Sequence, residues 1–165
     1  MTMVYSQKLF DMVMDLLDKK QQLLIEYYNV TTSVTSENLA DVINDVVDKR
    51  QYLIEQIQIC EADLQAIPKK LFGNDAHALS VILKHKVSAD MQLPPILNEI
   101  NKKCILIQNI MLRIKEADTQ LNNKVQMAKQ DVMDKIEQVK NNKQVFYYRK
   151  KMQGQMNGNM LDEKR

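Results

Sequence analysis

Apolar residues recur at steps of three and four along most of this chain, and the longest such run covers residues 95–150. Leu97, Ile100, Cys104, Ile107, Met111, Ile114, Asp118, Leu121, Val125, Ala128 and Val132 follow one another in that rhythm. A further step of four leads to Ile136 and a step of three to Val139. The spacing is that of a heptad seam with a stutter between Val132 and Ile136, and it predicts a long helix packed along partners. At a rise of ~1.5 Å per residue that helix is ~80 Å long.

Two shorter helices precede it. The first covers about 3–28, with Leu9, Val13, Leu16, Leu23 and Tyr27 inward and Lys20 breaking the stripe. The stretch 29–36, NVTTSVTS, is β-branched and hydroxyl-rich, a poor helix interior and a good connector. Thr35 or Ser36 suits the N-cap of the next helix, with Glu37 in its first turn. So short a connection makes the two helices antiparallel neighbours.

The second helix, 37–67, alternates strictly through Leu39, Ile43, Val46, Arg50, Leu53, Ile57, Cys60, Leu64 and Ile67 until Pro68 stops it. Arg50 is its one charged seam position. Such a side chain either leaves the seam for water or pairs with a carboxylate on a facing helix and helps to fix register. Between 68 and 94, Gly73-Asn74-Asp75 marks a turn, and 76–86 forms a short helix with Leu79, Ile82 and Leu83 inward. Pro94-Pro95 then opens the long helix at its first turn. The fold class is therefore all-α: an antiparallel helical hairpin plus a long third helix in a coiled-coil-like bundle, with a short helix in the connection. Residues 1–150 make one domain, and 151–165 a flexible, glycine-containing tail.

Composition supports this reading and narrows the chemistry. Of 165 residues three are Gly, three are Pro and none is Trp, a composition poor in turns and strands. The net charge of +2 is unevenly spread: residues 35–67 sum to −5 and residues 134–165 to +4. A nucleic-acid surface is disfavoured, because Val139, Phe146 and the tyrosines share the basic segment. Cys60 and Cys104 fall on seam positions of different helices, as free buried thiols do in a reducing cytoplasm. No ligand spacing for a metal, no phosphate loop and no nucleophile with a histidine base is present, so neither an enzyme nor a cofactor is expected. No apolar run is long enough to span a membrane, and no signal peptide opens the chain, which places the protein in the cytoplasm.

The helix lengths suggest a surface. The first two helices, ~40 Å and ~46 Å long, cover at most the first ~30 residues of the third. Roughly from Val125 onward the third helix overhangs them, yet it keeps an apolar stripe through Val132, Ile136, Val139, Val145 and Phe146. An uncovered stripe on a helix marginal in water is a candidate contact surface. Met152, Met156 and Met160 follow at steps of four, and would share a face if the tail became helical on binding; Gly154 and Gly158 hold it open until then.

Three features carry a resemblance to the FlgN-type flagellar export chaperones. One is the order of a helical hairpin and a longer helix. The second is Arg50-Gln51-Tyr52-Leu53-Ile54, similar to the family's basic residue within an apolar repeat. The third is an ending in which Tyr147 or Tyr148, a Gly/Asn/Gln spacer and Met160-Leu161-Asp162-Glu163-Lys164-Arg165 resemble an aromatic–spacer–Ile-Asp-Lys-Lys pattern. Met-Leu for the apolar pair and Glu163 for a lysine depart from that pattern.

The resemblance implies a cytoplasmic chaperone that binds the amphipathic terminal helices of hook-associated proteins, prevents premature assembly and delivers them to the type III export apparatus. On it, the client surface comprises Ile136, Val139, Phe146, Tyr147, Tyr148, Met152, Met156 and Met160, with Lys143, Arg149, Lys150 and Lys151 steering an acidic client. The alternatives are a structural coiled coil that dimerises through its long helix, another bundle-type secretion chaperone or adaptor, and a basic-helix nucleic-acid binder.

Overall fold

A computed structural model describes the backbone of residues 2–71 and 73–162, and side chains within 7–71 and 73–154. It is all-α, with no strand among the described residues. Its elements are α1 (Thr2–Thr32), α2 (Leu39–Ala66), a 3-10 turn (Pro68–Lys70), α3 (Asn74–Leu83) and α4 (Pro95–Asp162). The chain divides into two compact units, residues 1–122 and 123–165.

In the first unit α2 carries the seam read from its sequence. Leu39, Val46, Leu53, Cys60, Leu64 and Ile67 are buried, and Ile43, Arg50 and Ile57 are half-buried. In α1, Leu9, Val13 and Tyr27 are buried where the sequence puts them, and Phe10 with them. Between them the seam is displaced by one position: Leu17 and Leu24 are buried, whereas Leu16 and Leu23 are only half-buried. Lys20 does not break this stripe; it belongs to it, 8% exposed, because its ammonium pairs with Glu61 of α2 at 2.8 Å. Stepping by three and four through Lys20 selects Leu17 and Leu24. On α4, Leu97, Ile100, Cys104, Ile107, Ile114, Ala117 and Leu121 are buried.

The side-chain pairs fix the directions of the helices. Lys20 meets Glu61 and Tyr27 meets Arg50, so α1 and α2 run antiparallel. Lys103 meets Asp18 and Asp118 meets Tyr27, so this part of α4 runs parallel to α1, a direction the long connection leaves open in the sequence.

Local chemistry sets the helix ends. α1 continues to Thr32, and its terminal hydroxyls find acceptors within the helix: Thr31 Oγ1 donates to Tyr27 O and Thr32 Oγ1 to Tyr28 O, both at 2.9 Å. Thr35 and Asn38 clasp each other, the Asn38 side chain accepting from Thr35 N at 2.8 Å and Thr35 Oγ1 from Asn38 N at 3.2 Å. This capping-box arrangement delays regular α2 to Leu39. α3 stops at Leu83, short of Lys86, because His85 adopts φ +56. Lys86 N then donates to Val81 O and His85 N to Ile82 O, the paired bonds of a Schellman end.

α4 shows the largest departure. It continues as helix through Gly154 and Gly158 to Asp162. A glycine costs a helix interior only about 1 kcal/mol relative to alanine, a small penalty once a long helix is already nucleated.

Near the end of the buried part of α4, one polar layer crosses all three helices. Arg50 of α2 donates through Nε to Tyr27 Oη at 2.9 Å and through Nη2 to Asp118 Oδ1 at 2.6 Å. Its Nη2 also meets Tyr27 Oη, and the guanidinium carbon lies 4.9 Å from the centre of the Tyr27 ring. Arg50 therefore takes the second course open to it, pairing across the bundle. Its side chain is 21% exposed and that of Asp118 33%, so the pair is partly screened. Losing either partner leaves the other ion unpaired, and the stranded Arg50, 21% exposed, is further from water than a stranded Asp118, 33% exposed. Urea unfolding is expected to show Asp118→Ala destabilising by about 1–3 kcal/mol and Arg50→Met by less.

Candidate partner-binding surface

Beyond Leu121 the character of α4 changes. Val125 and Ala128 are half-buried, and every residue over 129–154 is exposed. The seam residues continue across this segment: Val132 is 56%, Ile136 50%, Val139 54% and Phe146 64% exposed. Met127, Met133 and Val145 are exposed as well; the first two stand off the seam and escaped the spacing argument.

An unbroken helix decides which of these residues can act together. Successive side chains are set about 100° apart. Val125, Ala128, Val132, Ile136, Val139, Phe146 and Tyr147 therefore share one face of the second unit. Tyr148, two residues after Phe146, points roughly 200° away from it, on the side of Val145 and Met152. The single client surface expected from the sequence thus separates into two opposed faces. Phe146 and Tyr148 already diverge within the helix read from the sequence; the continuity of α4 past residue 150 holds Met152 on the Tyr148 side, where a disordered tail would have let it fold back. The side chains of Met156 and Met160 lie outside the described residues.

The cations divide similarly. Lys143 and Lys150 stand within the Ile136–Phe146 face, whereas Arg149 and Lys151 are turned toward its margins or beyond. On the opposite side Asp134 accepts a hydrogen bond from Gln130 Nε2 at 2.8 Å.

The first unit holds apolar grooves. One of about 340 Å³ is walled by Ile54 and Ile57 of α2 and by Met111 and Ile114 of α4, over a floor of Leu24 and Tyr27. A smaller neighbouring cavity of about 180 Å³ is lined by Lys20, Glu61, His85 and Cys104. Among the described residues no group of His, Cys, Asp and Glu is placed to hold a metal ion. Both thiols are buried and free, and Cys60 Sγ donates to Leu16 O at 3.1 Å. Burial raises the Cys60 thiol and pushes Cys104 up to about 11 from an ordinary 9.0, against nucleophilic use of either. Among the described residues no helix is long and apolar enough to cross a membrane. No family model matches the chain, and neither a curated protein nor a solved structure is similar to it.

The Cys104 shift has a pH signature. The folded chain keeps its proton where the unfolded chain has lost it, so this contribution to stability is intact below pH 9 and is lost as pH rises through 11. Iodoacetamide at pH 8 should meet roughly 100-fold less Cys104 thiolate in the folded chain than in urea. Cys104→Ala should remove part of the stability loss between pH 9 and 11, read by denaturant unfolding.

Proposed function

We propose that this chain is a cytoplasmic export chaperone of the FlgN type. In this reading the distal part of α4 holds the amphipathic terminal helix of a flagellar hook-associated protein, keeps it from assembling early and presents it to the type III export apparatus. The observation that supports it is the row of large apolar side chains left exposed on α4 after Leu121, in heptad-like spacing. A stripe of that kind, on a helix with few tertiary contacts to stabilise it, is suited to helix-against-helix recognition through anchors three and four residues apart. The first unit, with its own core and the Tyr27–Arg50–Asp118 layer, serves as the folded base from which that helix begins.

The same spacing favours a second reading, a structural protein whose distal helix pairs with that of another copy. Pull-down from lysate of the source organism separates the two. The full chain should retain hook-associated proteins, and Ile136→Ala/Val139→Ala/Phe146→Ala should lose at least about 90% of that capture with its unfolding midpoint unchanged, since exposed positions contribute little to stability. Equal retention by both would move the site elsewhere. Capture by neither, with sedimentation as a stable dimer, would favour the structural reading.

A further inference from the structure

The charges on the distal part of α4 are sorted by face. Lys129, Lys135, Lys140, Lys143 and Lys150 lie within about a quarter-turn of the line through Val132, Ile136, Val139 and Phe146, the last two lysines almost on it. None of the five is in an ion pair in the structure. Of the carboxylates of the same segment, Asp134 and Glu137 lie on the far side, where Gln130 engages Asp134, and Asp131 stands at the margin beside Lys135. An apolar stripe edged mainly by free cations selects what can lie against it.

We infer that this face takes one kind of partner: an amphipathic helix of another protein whose apolar stripe is edged by Asp and Glu. Anchors at steps of three and four call for a helix, and the lysine margins call for carboxylates opposite them. A second copy of the chain is disfavoured, because like stripes would set Lys143 and Lys150 against their own counterparts and the flanking lysines against lysines. An anionic bilayer is disfavoured too. An interfacial helix keeps its cations on the polar face and its acids few, with bulky Trp, Phe and Leu below. Here the polar face carries Asp134 and Glu137, and Val132, Ile136 and Val139 make a narrow stripe. The inference rests on the reading of α4 as a partner-binding helix and adds to it which face binds and what the partner must carry.

The test uses the full chain and three synthetic amphipathic peptides of about four heptads, alike at the seam but edged with Glu, Gln or Lys. Titration calorimetry at low salt should show the Glu-edged peptide bound at least about tenfold more tightly than the Lys-edged one, with the gap closing as salt rises. Lys135→Glu/Lys140→Glu/Lys143→Glu should invert that order at unchanged helicity, and Tyr148→Ala should leave it intact. Equal affinity for the three peptides, or an order indifferent to the charge reversal, would overturn the inference while leaving the chaperone reading standing. So would binding to vesicles rich in phosphatidylserine with no response to any peptide, or a stable dimer dissociated by Ile136→Asp. A charge-ordered response in a chain that captures no hook-associated protein would support the inference and count against the chaperone reading.

Discussion

A guanidinium placed in an apolar seam must find oxygen, and in the first unit Asp118 and Tyr27 supply it. Asp118 is the one charged residue in the seam of α4 between Leu97 and Leu121, and Arg50 is the one charged residue in the seam of α2. Sliding either helix by a heptad would part them and leave both ions against hydrocarbon. Apolar seams tolerate such slips far better than a paired polar layer does. The layer thus fixes how α1, α2 and the first part of α4 align, and the second salt bridge of the seam, Lys20 with Glu61, agrees with that alignment. Once the register is set, so is the last residue of α4 that can be buried.

How much of this was legible in the sequence depended on how polar residues interrupt a pattern. The seam of α2 is strict enough to be read residue by residue, and Arg50 does not obscure it. In α1, Lys20 reads as an interruption, and the spacing around it places the inward leucines one position early, at Leu16 and Leu23. The hydroxyls of Thr31 and Thr32 suggest a connector, yet they bond to carbonyls four residues earlier and the helix runs on through them. His85 gave no warning that it would take the left-handed conformation that ends α3.

The exposed apolar row of α4 was legible as a spacing of three and four that continues past Leu121. Its division into two faces was legible only in part. Phe146 and Tyr148 both fall within the helix read from the sequence, so their opposed directions follow from its geometry. The glycines at 154 and 158 pointed to an open tail, which would have freed Met152 and the residues after it, and the continuous helix forbids that. Charge shows its order only after this step: the steering cations read from the sequence were a cluster near the end, whereas on the helix the lysines follow the apolar stripe back to Lys129.

In the proposed function the distal stripe of α4 awaits a partner from outside the chain. Hydrogen–deuterium exchange of the isolated protein at low concentration tests this directly. Amides of the buried turns around Ile100 to Ile114 should exchange only with unfolding of the first unit, and those over 129–150 should exchange orders of magnitude faster. Equal protection along both stretches, independent of protein concentration, would mean that the stripe is already covered within the chain, and would contradict the account.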